Sequence, residues 1–246
     1  MTVQARIQSG RISRRQALAV VAALALVFRA GARGSARQAL VEGSLLVRGQ
    51  AELPGSQMAW RVVQDVAEVG DDAGYQRRAL GFTVNSGIFT DLLLTDEVTG
   101  SAYRLAPGEA AFVAEGTMQR RESLGNSPEQ YLRLALAPAD MASDAGGDRL
   151  VYAGPAFAAP AGAVTLALEH LDLQAGDVAY ASPGAGQVLI LVLQGEIEIE
   201  EGEAGPRTRL QAVVGSSTSY AVHATPWGAT ITALRDATYV LVGSMR

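Results

Sequence analysis

The fold is decided by a stretch of 16 residues, Gly108–Ser123, with the sequence GEAAFVAEGTMQRRES. Two glycines in it, Gly108 and Gly116, enclose the apolar run Ala110–Val113, which has the length and composition of a short β-strand. A second strand is expected to begin at Gln119, after the turn at Gly116. The stretch therefore predicts two strands joined by a glycine turn.

Short apolar runs separated by Gly, Pro, Asp and Asn continue on both sides of this stretch, which predicts an all-β protein. In the first half of the chain the predicted strands are Leu45–Val47, Ala59–Val63, Gly81–Val84, Phe89–Leu94, Ala102–Leu105, Ala110–Val113 and Tyr131–Ala137. In the second half they are Val164–Leu168, Val178–Ala181, Val188–Leu193, Glu196–Glu200, Thr208–Ala212, Ser219–His223, Thr230–Leu234 and Thr238–Val242. In Glu196–Glu200 (EIEIE) the alternation predicts that both isoleucines face a core.

The two halves repeat the same glycine pattern. Gly87 and Gly116 each follow a predicted strand and are 29 residues apart, and Gly195 and Gly228 recur in the second half at a spacing of 33 residues. A repeat at a distance of about 110 residues predicts the duplication of one small β domain.

Composition excludes several kinds of chemistry. The 246 residues include no Cys, and all 20 basic residues are Arg. Thiolate nucleophiles, disulfides, thiolate metal sites and lysine Schiff bases are therefore excluded. The two histidines are too few for a metal site of three imidazoles in one chain. An acidic pI of about 5.1 speaks against a nucleic-acid partner, because binding phosphates requires a concentrated positive surface.

The N-terminal segment Met1–Ala32 has the three parts of an export signal. It carries five Arg and no acidic residue, an apolar run at Ala17–Phe28, and the small-residue triplet Ala30–Ala32, which suits a signal peptidase. The apolar run of twelve residues is short for a membrane span of about 20. We therefore expect an extracytoplasmic protein (secreted, periplasmic or at the cell surface) that contacts the membrane only through this segment, if the segment is not cleaved.

The sequence Ser13–Leu18 (SRRQAL) resembles the twin-arginine export signal, with Arg14 and Arg15 as its arginine pair. It departs from that signal in having Ala17 where Phe is usual. The resemblance implies export by the twin-arginine route.

The stretch Gly108–Ser123 resembles the second motif of the cupin superfamily, which has the form Gly-x5-Pro-x-Gly-x2-His-x3-Asn. Here Gly108, Ala114, Gly116, Gln119 and Ser123 occupy its five positions, with the spacing of the glycines intact. The second half keeps the Pro-x-Gly element at 226–228.

The resemblance implies a bicupin, in which two cupin-type jelly-roll barrels follow an N-terminal signal helix. The expected organisation is a signal peptide at 1–32, a linker at 33–44, a first barrel at 45–138, a linker at 139–162 and a second barrel at 163–246.

Metal-dependent cupins hold their ion with three His and one Glu, and this chain lacks those residues at the matching positions. The Glu positions are Leu80 and Val188, and the third His positions are Gln119 and Ile231. His170 and His223 stand alone in the sequence and are interpreted as structural or surface residues. We therefore expect no metal and no cofactor, and we assign no catalytic residue.

The first barrel is the expected binding site. Side chains alternate between the two faces of a strand, so on the strand that begins at Gln119 we expect Gln119, Arg121 and Ser123 on the cavity side. Phe82 and Phe112 are expected to form apolar walls. A buried Arg is costly unless it is paired. Arg121 therefore meets either a carboxylate of the protein or an anionic ligand.

The sequence thus predicts an exported, metal-free bicupin that acts as a binding module for a small polar or anionic molecule, or as a structural module. One alternative is a metal-independent enzyme with isomerase-like or epimerase-like acid–base chemistry, which requires two titratable groups facing one cavity. Another is a protein-interaction or oligomerisation domain, and a homodimer is left open because cupins commonly pair through sheet faces.

Overall fold

Two pairs of β-sheets account for the regular structure of the chain. The computed structural model describes residues 40–70, 74–87, 89–140, 149–212 and 220–246. These residues form strands and no helix, so the predicted all-β class is confirmed for them. It follows that no helix in them is long and apolar enough to cross a membrane. The predicted export signal, with Arg14 and Arg15, lies outside the described residues.

Eighteen strands occur in the described ranges. They are β1 (Ser44–Pro54), β2 (Gln57–Ala67), β3 (Gln76–Arg77), β4 (Gly81–Val84), β5 (Leu92–Asp96), β6 (Ala102–Leu105), β7 (Ala110–Val113), β8 (Met118–Ser123), β9 (Glu129–Pro138), β10 (Arg149–Ala153), β11 (Phe157–Ala158), β12 (Ala161–Leu173), β13 (Val178–Ala181), β14 (Val188–Glu201), β15 (Arg207–Ala212), β16 (Ala221–Thr225), β17 (Ala229–Ala233) and β18 (Thr238–Met245).

The two pairs of sheets have the same strand order. In the first sheet pair the larger sheet runs β10-β2-β9-β4-β7, with β11 also on β2, and the smaller sheet runs β3-β8-β5-β6. In the second sheet pair the larger sheet runs β1-β12-β18-β14-β16 and the smaller one β13-β17-β14-β15. All of these pairings are antiparallel.

The strand β14 belongs to both sheets of the second pair, and it changes sheet at Gly195. Its first part pairs with β18 and β16, and its second part pairs with β15 and β17. Gly195 has φ 90°. A Cβ at this position would stand 2.8 Å from the Cα atom of Thr238. Only glycine fits this bend without strain, because both the backbone angle and the close approach disfavour a side chain.

Strands are exchanged between the two sheet pairs. The first strand, β1, pairs with β12 of the second pair, whereas β10 and β11 pair with β2 of the first pair. The segment 139–162, predicted as a linker, thus contains two paired strands, and the beginning of the predicted first barrel, 45–138, lies in the second sheet pair. Each exchanged strand covers the edge of a long strand that would otherwise be open to unwanted pairing.

Three apolar clusters hold the four sheets together. The largest lies between the two larger sheets and contains Trp60, Val62, Phe82, Leu132, Leu134, Leu136, Leu166, Leu168, Leu189, Leu191, Leu241 and others. We call it the shared core. A second cluster fills the interior of the second sheet pair, where the predicted inward residues Ile197 and Ile199 are fully buried. The third is small and lies in the interior of the first pair, at Ala67, Leu92, Leu94, Leu105 and Tyr131.

Gly49 of β1 packs against Phe112 of β7, and we expect Gly49→Ala to destabilise the protein. The ring of Phe112 rests directly on Gly49, so a Cβ there would overlap it. Overpacking of this kind costs about 1–3 kcal/mol of unfolding free energy, which urea denaturation would measure. The control is Gly243→Ala, whose Cβ would lie at an ordinary 3.4 Å from the Cβ of Leu189. Equal stability of the two variants would contradict the close packing of β1 on β7.

Candidate functional site

The interior of the first sheet pair is largely polar, because the apolar residues of its larger sheet face the shared core. In β9, Leu132, Leu134 and Leu136 belong to that core, and the residues between them point the other way. The same alternation operates in β2, β4 and β8. It gathers a group of polar residues around one interior, namely Asp65, Arg78, Thr83, Gln119, Arg121, Ser123, Tyr131 and Arg133.

Arg121 is the most deeply buried cation of this group, with 4% of its surface exposed. Its Nη2 donates a hydrogen bond of 2.8 Å to Oγ1 of Thr83, and its guanidinium carbon lies 4.9 Å from the ring centroid of Tyr131. Its Nε and Nη1 are buried and have no hydrogen-bond partner in the described part of the chain. In that part no carboxylate forms an ion pair with Arg121, so the expected carboxylate of the protein is not at this position.

Asp65 is engaged by other groups of the interior. Its Oδ2 accepts a hydrogen bond from the hydroxyl of Tyr131 and lies 3.8 Å from Nε of Arg133. Burial raises the pKa of Tyr131, so the phenol is neutral at pH 7 and acts as the donor. Among the described residues, Arg78, Arg121 and Arg133 therefore share an interior in which Asp65 is the nearby carboxylate, and positive charge is in excess.

Burial lowers the pKa of Arg121 to about 9, and repulsion by Arg78 and Arg133 adds to the shift, while Asp65 opposes it. Burial is also the main reason that the pKa of Arg78 is lowered. Arg121 remains charged at pH 7. The lowered pKa means that the interior solvates the guanidinium poorly, so an anion placed beside it would be strongly attracted.

The other inward carboxylate, Glu129, lies apart from the arginines. One of its oxygens accepts hydrogen bonds from the backbone N–H (3.0 Å) and the hydroxyl of Thr90, and the other accepts one from the N–H of Gln130 at 3.2 Å. It therefore does not neutralise Arg121.

A small pocket opens beside the guanidinium of Arg121. Its volume is about 10 Å³, and it is lined by Arg78, Ala79, Phe82, Thr83, Val113, Arg121, Arg133, Leu134 and Ala135. The pocket combines three guanidinium groups with apolar walls. Apolar walls beside fixed positive charges suit the binding of a small anion.

Of the residues predicted for the site, Gln119, Arg121 and Ser123 are buried on one face of β8. Only Arg121 of the three lines the pocket. The Oε1 atom of Gln119 is buried without a hydrogen-bond partner among the described residues, and the hydroxyl of Ser123 donates to the carbonyl of Ser127 at 2.7 Å.

Of the two rings expected as apolar walls, that of Phe112 is not among the residues that line the pocket. The rings of Phe82 and Phe112 meet edge to face, 6.1 Å apart, and the ring of Phe112 rests on Gly49 of the second sheet pair. Phe82 is among the residues that line the pocket, but its side chain belongs to the shared core. The reason is strand alternation, because Thr83, between Phe82 and Val84, is the residue that turns toward Arg121.

Sequence reasoning missed Asp65, Arg78, Tyr131 and Arg133. The sequence did contain an indication that Arg133 is unusual, since it is a charged residue inside the otherwise apolar predicted strand Tyr131–Ala137. Arg78 and Asp65 carried no such indication, because Arg78 lies in the polar run Gln76–Arg78 and Asp65 lies beyond the end of the predicted strand Ala59–Val63.

The interior of the second sheet pair is apolar except at one end. There the Oε1 atom of Glu201 lies 2.9 Å from Nε2 of His223, and its Oε2 accepts a hydrogen bond from Thr225. His223 therefore has a partner, which its isolated position in the sequence did not reveal. The alternation of side chains along this strand did indicate it, since Glu201 lies two residues after Ile199 and therefore points inward, as Ile197 and Ile199 do.

The residues at the cupin metal positions do not fit a metal ion. Leu80 belongs to the shared core, and Val188 and Ile231 are buried among apolar residues of the second interior. Gln119 offers a neutral amide in an interior that holds three guanidinium groups, which repel a cation. The described residues contain no group of three His, Cys, Asp or Glu able to hold a metal.

Comparison with known proteins identifies the fold. No protein-family model and no curated protein sequence matches the chain. The structure of YhaK from Escherichia coli matches with a TM-score of 0.50 and 13% identity, over 80% of this chain and 93% of that one. Oxalate decarboxylase of Lactobacillus farciminis, in a formate complex, matches with a TM-score of 0.51 and 10% identity, over 85% of this chain and 83% of that one. Both are cupin-family proteins. The chain has the cupin fold. The resemblance seen in the sequence is thus supported for the fold, and identities this low show nothing further.

We expect Arg121→Met and Arg133→Met to differ in their effect on stability. Arg121 has no carboxylate partner among the described residues, so in anion-poor buffer an apolar side chain of similar length should leave the unfolding free energy equal, or raise it by about 1–4 kcal/mol. Arg133 lies beside Asp65, and its loss should lower the unfolding free energy by about 1–3 kcal/mol. Urea denaturation of both variants measures the difference. A loss in Arg121→Met as large as that in Arg133→Met would contradict this account of the interior.

Proposed function

We propose that this protein is an exported, metal-free module of two tandem cupin-type barrels, and that the first barrel binds a small anion. The observation that carries the proposal is Arg121, a buried cation with two nitrogens free of hydrogen bonds and no carboxylate partner among the described residues. A folded protein rarely keeps such a group without a ligand to compensate it.

The tandem arrangement is supported by the identical strand order of the two sheet pairs. The second barrel, in this proposal, is scaffolding. Its interior is filled by Val, Ile, Leu and Ala side chains, and its larger sheet provides half of the shared core.

Anion binding predicts a rise in thermal stability that depends on Arg121. The purified protein should unfold at higher temperature with added sodium formate than with the same ionic strength of a bulky anion such as gluconate. At a hundredfold excess over Kd the gain is about 2.7 kcal/mol, or roughly 5–10 °C for a protein of this size. Differential scanning fluorimetry measures it.

The matched control for this experiment is Arg120→Met, which removes a guanidinium from the outer face of the same strand. This variant should keep the anion effect, and Arg121→Met should lose it. A stabilisation that is equal in parent and Arg121→Met would show an unspecific salt effect and would refute binding at Arg121.

The metal-free part of the proposal predicts that elemental analysis of the purified protein gives no stoichiometric transition metal. EDTA should leave the melting temperature unchanged, because no donor set in the described residues depends on a divalent ion. Metal at close to one equivalent per chain would overturn this part of the proposal.

Export by the twin-arginine route is supported by the sequence of Met1–Ala32 alone. Replacing Arg14 and Arg15 by Lys should leave the precursor in the cytoplasm, since that route requires the arginine pair. The control is the double substitution of Arg6 and Arg11 by Lys, which lies outside the pair and should be exported. Fractionation and immunoblotting measure both, and normal export of the first variant would contradict the route.

A metal-independent enzyme remains the second candidate, favoured by one observation. Glu201 and His223 are two titratable groups that face the same interior. Both oxygens of Glu201 are already engaged, one by His223 and one by Thr225. This arrangement satisfies the carboxylate within the protein, so we place binding at Arg121 first.

A further inference from the structure

From the dimensions and charge of the pocket at Arg121, we infer that its ligand is a small monovalent anion that places one halide or one oxygen atom in the pocket. The candidates are a halide, nitrate, or the head of a very small carboxylic acid. This inference rests on the proposed function and narrows it to one class of ligand.

The size limit comes from the pocket and from its walls. A volume of about 10 Å³ holds about one water-sized group. Three walls of the pocket, at Thr83, Val113 and Ala135, belong to β4, β7 and β9, and β4 is hydrogen-bonded to both of the other strands. Widening the pocket would require breaking these ladders, so the pocket cannot adapt to a tetrahedral oxyanion with four oxygens.

The charge limit follows from hydration. The cost of moving an ion out of water grows with the square of its charge, whereas its attraction to fixed cations grows only in proportion to the charge. A dianion therefore pays about four times the dehydration cost of a monoanion and gains about twice the attraction to Arg78 and Arg121. In a small buried pocket this balance favours the monoanion.

The direction of approach is set by the neighbours of the guanidinium. The ring of Tyr131 covers one of its faces, and Thr83 occupies its Nη2. The N–H groups of Nε and Nη1 remain without a partner, and they lie in the plane of the guanidinium on two different edges. A planar anion such as carboxylate or nitrate can accept a hydrogen bond from either of them with a lone pair that lies in its own plane.

The test is a series of sodium salts at one ionic strength, with the parent protein and Arg121→Met measured side by side by scanning fluorimetry. The probes are chloride, nitrate, formate and acetate on one side, and benzoate, sulfate and phosphate on the other. We expect Arg121-dependent shifts of several degrees with chloride, nitrate and formate, a smaller shift with acetate, and none with benzoate, sulfate or phosphate. A larger shift with formate than with nitrate and chloride would identify the ligand as a carboxylate, and the reverse order would identify it as an inorganic anion.

A second variant tests the size limit without removing the charge. Val113→Ala deletes two methyl groups from the wall and should extend the series, so that acetate or propionate gives a shift at least as large as that of formate. If Val113→Ala is too unstable to measure, Arg121→Lys replaces it. This variant keeps the charge and loses the planar fork, so it should respond less to formate and nitrate but still respond to chloride.

The outcomes separate this inference from the proposed function. An Arg121-dependent shift with sulfate, phosphate or benzoate in the parent would overturn the size and charge limits and leave anion binding standing. The absence of any Arg121-dependent shift, across the whole series, would overturn both.

Discussion

The larger sheet of each pair is covered on both faces, and its two faces have different neighbours. One face packs against the larger sheet of the other pair, and the other face lines an interior. Because side chains alternate along a strand, half of the residues of β9 are committed to the shared core. This burial stabilises the sheet, so the residues on the opposite face are free to be polar. The site at Arg121 depends on this division.

The two sheet pairs have the same strand order, but different kinds of side chain fill their interiors. In the second interior, Val188 and Ile231 are buried among aliphatic side chains at the positions that correspond to the metal ligands of metal-dependent cupins. In the first interior, Thr83, Arg121 and Arg133 occupy inward positions and leave only a small apolar cluster. An aliphatic interior needs no partner from outside, whereas the excess positive charge among the described residues of the first interior is the basis for the anion that we propose. This difference is why we assign scaffolding to one barrel and binding to the other.

The exchange of β1 and β10 links the two halves beyond the apolar contact of their sheets. The strand β1 precedes the strands of the first sheet pair and is hydrogen-bonded to β12 of the second pair. The strand β10 lies between β9 of the first pair and β12 of the second, and it is hydrogen-bonded to β2 of the first pair. The larger sheet of the second pair is therefore completed by residues that precede the first pair.

The sequence by itself determined the all-β class, most of the strands, and the common face of Gln119, Arg121 and Ser123. These are local properties, because the alternation of side chains between the two faces depends only on neighbouring residues along one strand. Tertiary structure alone decided which strands pair and which residues meet. Asp65 and Tyr131 are 66 residues apart and become partners through the register of β2 and β9.

The sequence also shows the alternation of Phe82, Thr83 and Val84, but not which side is the interior. Where both faces of a sheet are covered, hydrophobicity does not distinguish them, and only the packing of the second sheet pair against the first places Phe82 in the shared core and Thr83 beside Arg121.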